Sequence, residues 1–213
     1  MNKLPTPTEV KICDICHYTY MPPVAGDNAL HRKYHDEFVH GVRAKTSSSD
    51  WVLEQFDNLK IILISPTSPY TQRKRAERIA FRVKRETNFD FASYHASETE
   101  DSDSPLVFIG ITNERAIAFL VVRKTTHSVK TTWDLYDKKG RGTIPLLPDE
   151  CWSVSMAWTL PNNRRKGLAT NMINTASRHL KVPVLEIAWT TPFTEFGYSL
   201  AKRIAPNEVI LTL

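Results

Sequence analysis

The sequence predicts an α+β protein, a mixed sheet flanked by helices, preceded by a small metal-bound module. Three observations carry this. Along residues 59–213, short apolar runs rich in β-branched residues alternate with amphipathic stretches of helical period. Their order is a helix, antiparallel strands, then β-α-β-α-β, which suits a mixed sheet and not a doubly wound parallel one. Near the N-terminus, Cys13, Cys16, His31 and His35 stand at the spacing C-x2-C-x14-H-x3-H.

The metal module is read first. Two thiolates and two imidazoles match the tetrahedral preference of Zn2+, and four protein ligands leave no open position, so the ion is structural. A C-x2-C turn brings two sulfurs together, and His31 and His35 fall on one face of a helix. Tyr18, Tyr20, Met21 and Leu30 are the expected small core of this C2H2-like finger, which spans residues 11–41 and ends its helix at Gly41. His17 and His40 are expected to stand outside the ligand set. Residues 42–58, serine-rich in their first half, read as a linker, and residues 59–213 as the main domain.

The main domain opens with the apolar run Leu59–Ile64, read as a strand and broken by Pro66 and Pro69. Tyr70–Glu86 reads as a helix, because Ala76, Ile79, Ala80 and Val83 form one apolar stripe. Seven basic residues decorate it: Arg73, Lys74, Arg75, Arg78, Arg82, Lys84 and Arg85. They form either a solvated face or a contact surface for an acidic partner or DNA. The acidic stretch at 97–104 reads as a loop. Leu106–Ile111 and Ala116–Val122 flank a short polar turn and predict an antiparallel hairpin buried on both faces. Trp133–Tyr136 reads as a further strand. Strand Cys151–Leu160, a helix behind Gly167, strand Val184–Trp189, helix Glu195–Arg203 and strand Val209–Leu213 complete the chain.

Composition bounds the setting. The 213 residues are 41% apolar and 24% charged, which is a globular balance. No run is long enough to span a bilayer, and Met1–Val10 holds no apolar stretch, so the expectation is an intracellular protein with no membrane partner. Cys151 is expected to be a buried, reduced thiol. The net charge of +5 favours an acidic partner or a nuclear setting, and is too mild to establish nucleic-acid binding.

A second motif, R-x-x-G-x-A, runs from Arg164 to Ala169, directly after a predicted strand and at the start of a helix. Helix N-termini offer unsatisfied N–H groups and a positive dipole end, an anion site suited to a pyrophosphate. Gly167 is expected to let the phosphates approach where a side chain would collide, and Ala169 to let the helix pack close to its strand. Arg164, Arg165 and Lys166 add charge. By itself the hexamer equally suits an ordinary basic helix start.

In its context the motif resembles the acetyl-CoA-binding motif of the GCN5-related N-acetyltransferases, whose fold is a mixed sheet with helices on both faces. The combination with a finger resembles the cohesion-establishment acetyltransferases. Three stretches carry the likeness: CDICHYTYMPPVAGDNALHRKYHDEFVHGV, SMAWTLPNNRRKGLATNMI and IAWTTP, the last followed by a glycine-bearing tail around Gly197. The resemblance implies a protein-lysine N-acetyltransferase that acts on the cohesin core to establish sister chromatid cohesion. It implies a place in the nucleus on chromatin, with possible links to the replication machinery. It also implies that acetyl-CoA lies against Ala157, Trp158 and Thr159, that its phosphates sit on Arg164, Arg165, Lys166, Gly167, Leu168, Ala169 and Thr170, and that Phe193, Thr194 and Glu195 complete the site. Trp158 would hold the thioester through nearby backbone, or be a core aromatic. Ser155 would line the lysine channel, or be an ordinary strand serine.

Two departures touch the chemistry. Relatives carry acidic residues where this chain has Asn174 and Thr191, so a base role transfers to neither. Glu150, Glu186 and Glu195 are the nearest carboxylates in sequence, and no single one of them is expected to be the whole base. Two other readings stay open: a catalytically weak chromatin-binding relative, and an acetyltransferase with another protein substrate.

Overall fold

The computed structural model describes residues 10–87, 94–97, 104–138, 146–147 and 149–212. Most of the predicted acidic loop, residues 98–103, lies outside the described residues. The finger opens with the hairpin β1 (Lys11–Ile12) and β2 (Thr19–Tyr20), followed by the helix α1 (Ala25–His40). After it come β3 (Val42–Arg43), β4 (Trp51–Phe56), β5 (Leu59–Ile64) and α2 (Tyr70–Thr87). The hairpin is β6 (Leu106–Thr112) and β7 (Arg115–Thr125), and β8 (Ser128–Thr132) leads into the short helix α3 (Trp133–Asp137). The C-terminal part is β9 (Cys151–Thr159), α4 (Leu168–Leu180), β10 (Ala188–Thr190), α5 (Glu195–Ile204) and β11 (Glu208–Thr212).

One sheet takes the order β4-β5-β6-β7-β9-β10-β11-β8, with β3 paired to the start of β7. The pairs β9–β10 and β10–β11 are parallel and cross over through α4 and α5; the other pairs are antiparallel. Consecutive buried residues along β5, β6 and β7 mean that both faces are covered. The helix α4 lies over β4, β6, β7 and β9, and α2 over β5 and β7. The α4 face that packs down is Leu168, Met172, Ile173 and Ala176. Among the described residues no helix is long and apolar enough to cross a membrane.

Three sequence expectations are corrected. The segment 42–58 is not a free linker: β3 and β4 lie within it and join the sheet, because Trp51, Val52, Glu54, Gln55 and Phe56 pair along β5. Trp133–Tyr136 is helix, not strand. Thr132 caps it by accepting a hydrogen bond from the Leu135 N–H at 3.4 Å, and the strand of this region is β8, one step earlier. Val184–Glu186 is a 3-10 turn, closed by Glu186 N–H to Pro183 O at 2.9 Å, so the strand shrinks to Ala188–Thr190.

Part of the basic face of α2 is engaged inside the molecule, while Lys74, Arg78 and Arg85 stay exposed. The Arg82 guanidinium, 3% exposed, lies over the rings of Tyr34 and Phe38 at 4.5 and 5.5 Å, and Arg85 lies over Tyr34 and Tyr18 at 5.0 and 5.8 Å. Arg75 forks onto Asp50 at 2.6 and 3.0 Å, Arg73 reaches Ser68 O, and Arg78 reaches Arg43 O. On the other side of the finger, Arg115 pairs with Asp36 at 2.7 and 3.2 Å and with Gly41 O at 3.0 Å. The finger is therefore bolted to the sheet domain by cations of α2 and β7.

Gly41, just past α1, has φ +86°, and a Cβ there would lie 2.4 Å from Ala116 O. Only glycine fits both the left-handed backbone and the close approach of β3 to β7. Gly41→Ala is expected to destabilise the protein by at least roughly 1–3 kcal/mol, the range for local backbone strain. Differential scanning calorimetry checks it; an unchanged melting temperature would contradict this account of the joint.

Candidate functional site

The four side chains that the ligand spacing predicts come together. Ligand atoms of Cys13, Cys16, His31 and His35 lie within 4.8 Å of one another. A tetrahedral zinc with bonds of about 2.0–2.3 Å needs separations of about 3.3–3.8 Å, so side-chain rotation suffices to close the shell. The donor set fits an ion in two further ways. His31 Nε2 is buried without a hydrogen-bond partner, and Cys13 Sγ stands 3.4 Å from His35 Nδ1. The Cys13 thiol is lowered to about 6, chiefly by the backbone N–H groups of Cys16 and Ile15, then by His31. Burial first, and the neighbouring Cys13, raise the Cys16 thiol. A cation between them resolves that opposition.

Tyr20 stacks on the His31 ring at 3.8 Å and Tyr18 on Tyr34 at 5.0 Å, so the two tyrosines do form the finger's packing. Leu30 does not; it is 59% exposed, on the outer side of α1. His17 adopts a left-handed φ of 54° in the cysteine turn, and neither it nor His40 belongs to the ligand group.

The second site is a cleft where β9 parts from β10. The two strands pair only at Ser153 and Val154. At Ser155 a bulge shifts the register with β7, so that Val121 faces Met156 and Val122 faces Val154. The cleft is lined by Val83 of α2, by Val154–Ala157, by Trp189, Thr190, Pro192, Phe193 and Thr194, and by Gly197 of α5. Ser155 lies in this lining, and its Oγ donates to Val121 O at 3.3 Å. Trp158 does not: it is 4% exposed and packs in the core. Leu160 N–H donates to Ile117 O at 2.8 Å. By antiparallel alternation the backbone of Trp158 also turns to β7, while that of Ala157 and Thr159 turns to the cleft.

Beyond β9, the motif loop presents a helix N-terminus. Gly167, at φ +79°, precedes α4 and no side chain caps it; only the Asn171 N–H returns to Gly167 O, at 2.9 Å. The N–H groups of Leu168, Ala169 and Thr170 lie in the first turn, which has no intrahelical acceptors. A Cβ at Gly167 would meet nothing within 4 Å, so the glycine is required by the left-handed backbone and not by a collision within the chain. Arg165, at φ 61°, and Lys166 are exposed beside it. Arg164 is not aimed at this site. Its Nε donates to Thr159 O at 3.0 Å, its Nη2 pairs with Glu86 at 2.5 Å, and its guanidinium lies 4.9 Å from the centre of the Phe196 ring.

Phe193 and Thr194 line the cleft; Thr194 also caps α5 through the Gly197 N–H at 3.1 Å. Glu195 is exposed and outside the lining, as are Glu186 and Glu150, the last paired to Lys124 at 2.5 Å. Asn174 is half-buried on α4, and the Thr191 hydroxyl donates to Thr212 O at 3.1 Å. Among the described residues the cleft lining holds no carboxylate, histidine or cysteine. Sequence reasoning missed Val83, Met156, Trp189, Thr190 and Pro192 as lining. Val83 had been read only as core stripe, and the others were hidden because no sequence pattern says where two strands part.

Residues 150–212, the segment holding this loop and cleft, match the family model described as ESCO1/2 acetyl-transferase. The chain thus carries a segment similar to the ESCO1/2 acetyltransferases. It is 21% identical to the N-acetyltransferase ECO1 of Saccharomyces cerevisiae, over 90% of this chain and 82% of that protein. It is 24% identical to ECO1 of Kluyveromyces lactis, over 92% of this chain and 86% of that protein. Two solved structures of the xEco2 acetyltransferase domain, one bound to a K105–CoA conjugate, superpose with TM-scores of 0.62 and 0.60 at 19% identity. They cover 78% and 79% of this chain and 98% of each matched chain, and establish the mixed-sheet acetyltransferase fold.

For the metal centre the expected outcome is one zinc per chain by atomic emission. Cys16→Ser should lose the metal and melt α1, and by removing the aromatic partners of Arg82 and Arg85 it should also lower the melting temperature of the sheet domain. A full zinc complement in Cys16→Ser would show that the ligand set is wrong.

Proposed function

We propose that this acetyltransferase uses acetyl-CoA to acetylate protein lysine, with a lysine-bearing cohesin core subunit as its substrate, acting on chromatin in the nucleus to establish sister chromatid cohesion. The observation that carries the reading is the open strand edge at Ala157 and Thr159, lying next to an uncapped basic helix start. Extended amides of a pantetheine arm suit the first and a pyrophosphate the second. Support for coenzyme A comes from the similar xEco2 domain bound to a K105–CoA conjugate; the cohesin substrate rests on the resemblance of the finger and motif stretches to the cohesion-establishment acetyltransferases. Zinc serves structure alone, since all four positions are protein ligands.

The chain's own groups account for three parts of the reaction. The first-turn N–H groups of α4, with Arg165 and Lys166 alongside, hold the phosphates. The Thr159 and Ala157 backbone holds and polarises the acyl group, whose oxygen gains negative charge during transfer. The apolar wall from Val83 to Trp189 encloses the incoming amine and excludes water. Among the described residues no side chain of the lining can accept the lysine proton as a carboxylate or imidazole would, so water, backbone carbonyls or a group on the substrate carry it in this reading.

Labelled acetyl transfer to purified cohesin tests the function directly. Coenzyme A binding without any transfer would favour the catalytically weak chromatin-binding reading, which the absence of a carboxylate in the lining also fits. Gly167→Asp should abolish coenzyme A binding by calorimetry, because it strains a left-handed backbone and places negative charge where phosphates belong. Normal affinity would refute the placement.

The pH dependence follows from the missing base. Free lysine has a pKa of about 10.4, so below it the neutral amine rises about tenfold per pH unit and kcat/KM should rise with it. Glu150→Gln, Glu186→Gln and Glu195→Gln should each keep this profile. Asn174→Glu should raise activity near neutrality, by up to roughly 10^2–10^4-fold if its carboxylate is well placed. If one of the three glutamine variants loses nearly all activity while binding acetyl-CoA, a dedicated base exists.

A further inference from the structure

Glu86, on the last turn of α2, faces two guanidinium groups. Its Oε1 accepts from Arg164 Nη2 at 2.5 Å, and its Oε2 lies 3.4 Å from Arg82 Nη1. The carboxylate is 10% exposed and the Arg82 side chain 3%. No nitrogen of Arg82 finds hydrogen-bond geometry among the described residues, so Glu86 and the rings of Tyr34 and Phe38 are what hold it. Arg164 in turn touches β9 and α5, elements that each lend residues to the cleft. It covers the Thr159 carbonyl at the end of β9 and lies over Phe196 of α5. Val83, one turn before Glu86, lines the cleft itself.

We propose that Glu86 is a positioning residue for coenzyme A binding: it fixes the Arg164 fork, and Arg164 fixes the end of β9 and the start of the loop that leads to α4. The proposal rests on the acetyl-CoA reading above. Its logic is the satisfaction of an exposed edge. Thr159 O points into the parting between strands, where it lacks a strand partner; Arg164 Nε supplies one, and leaves Thr159 N–H and the Ala157 amide for the ligand. Without the Glu86 carboxylate, Arg164 keeps its bond to Thr159 only at the cost of holding a long side chain in one rotamer, and the loop between Arg164 and Gly167 loses its anchor. The buried Arg82 ties this anchor to the finger, so docking of the finger and shape of the phosphate loop share one carboxylate.

The test uses the full zinc-loaded chain and coenzyme A. Affinity by calorimetry, and kcat and KM for acetyl-CoA, are measured for the native protein, Glu86→Gln, Arg164→Gln and the double variant. Glu86→Gln is expected to weaken coenzyme A binding about tenfold, as the loss of one charge-assisted bond implies. It should raise KM more than it lowers kcat. The double variant should bind no worse than Arg164→Gln alone, because Glu86 acts through Arg164. If Glu86→Gln is poorly folded because Arg82 is left buried without a counter-ion, Arg82→Met/Glu86→Gln removes that charge at similar volume and should fold while still binding weakly. Native affinity in the folded Glu86 variants, or losses that multiply in the double variant, would overturn the positioning role alone. A native chain that does not bind coenzyme A would overturn the acetyl-CoA reading, and this role with it.

Discussion

Backbone N–H and C=O groups inside a sheet are costly to leave unpaired, and β9 leaves several so from Ser155 to Thr159 on the side facing β10. The rest of the site follows from that constraint. The parallel pairing stops after Val154, and the bulge at Ser155 bends the strand just where its partner leaves. At the far end Arg164 covers the Thr159 carbonyl, and Gly167 turns the chain into a helix whose first turn is likewise uncapped. Two sets of unsatisfied amides thus lie in sequence along one path, a strand edge and then a helix start. Such an arrangement is stable only if a polar, extended ligand with an anionic group completes it, or water does.

The finger is part of this framework and not an appendage. Its helix has no fully buried residue of its own, so it cannot stand on a private core. Stacking on the cations of α2 holds it, and a zinc ion on Cys13, Cys16, His31 and His35 would add to that. Arg82 is the pivotal contact: a guanidinium taken out of water needs both π faces and a carboxylate, and it finds Tyr34, Phe38 and Glu86. The charge of α2, which as a sequence looks like a nucleic-acid surface, is in part spent on holding the molecule together. Asp36 shows the same economy, its carboxyl held below the usual range first by the bond from Arg115.

The zinc ligands, the order of the strands and the glycine-led helix were legible because each rests on local spacing. A C-x2-C turn, an i, i+4 histidine pair and a strand-to-helix loop are defined within about thirty residues of chain. The sheet edge was not legible. Trp51–Phe56 holds Trp, Val, Leu and Phe but follows three serines, and the serines set the reading of the whole segment as linker. Trp133–Tyr136 carries β-forming side chains, yet Thr132 as a cap and a Trp133 Nε1–H bond to Ala205 O at 2.6 Å make it helix; tertiary contact overrode propensity. Trp158 illustrates the deeper limit. Proximity in sequence to the motif suggested a place at the thioester, but strand alternation turns its ring into the core and its amide to β7. Arg164 is similar: a basic residue in a phosphate loop, engaged by a glutamate 78 positions earlier that no local pattern could supply.

The electrostatics of the cleft bear on how an amine is activated without a base. Positive charge is exposed on Arg165 and Lys166 of the motif loop beyond β9, while the lining is mostly apolar, with Val83, Val154, Met156, Trp189 and Phe193. An ammonium moved into such walls loses hydration with no carboxylate to replace it, and desolvation lowers a lysine pKa. On the proposed lysine substrate, such walls favour the neutral form, which eases loss of the proton to water, to a backbone carbonyl or to a group on the substrate. The same walls raise the value of each backbone dipole left open at Ala157 and Thr159, because an amide N–H aimed at a developing oxyanion acts more strongly where water is excluded. The open strand edge, costly for folding, is thus the feature that makes a carboxylate-free site able to stabilise acyl transfer.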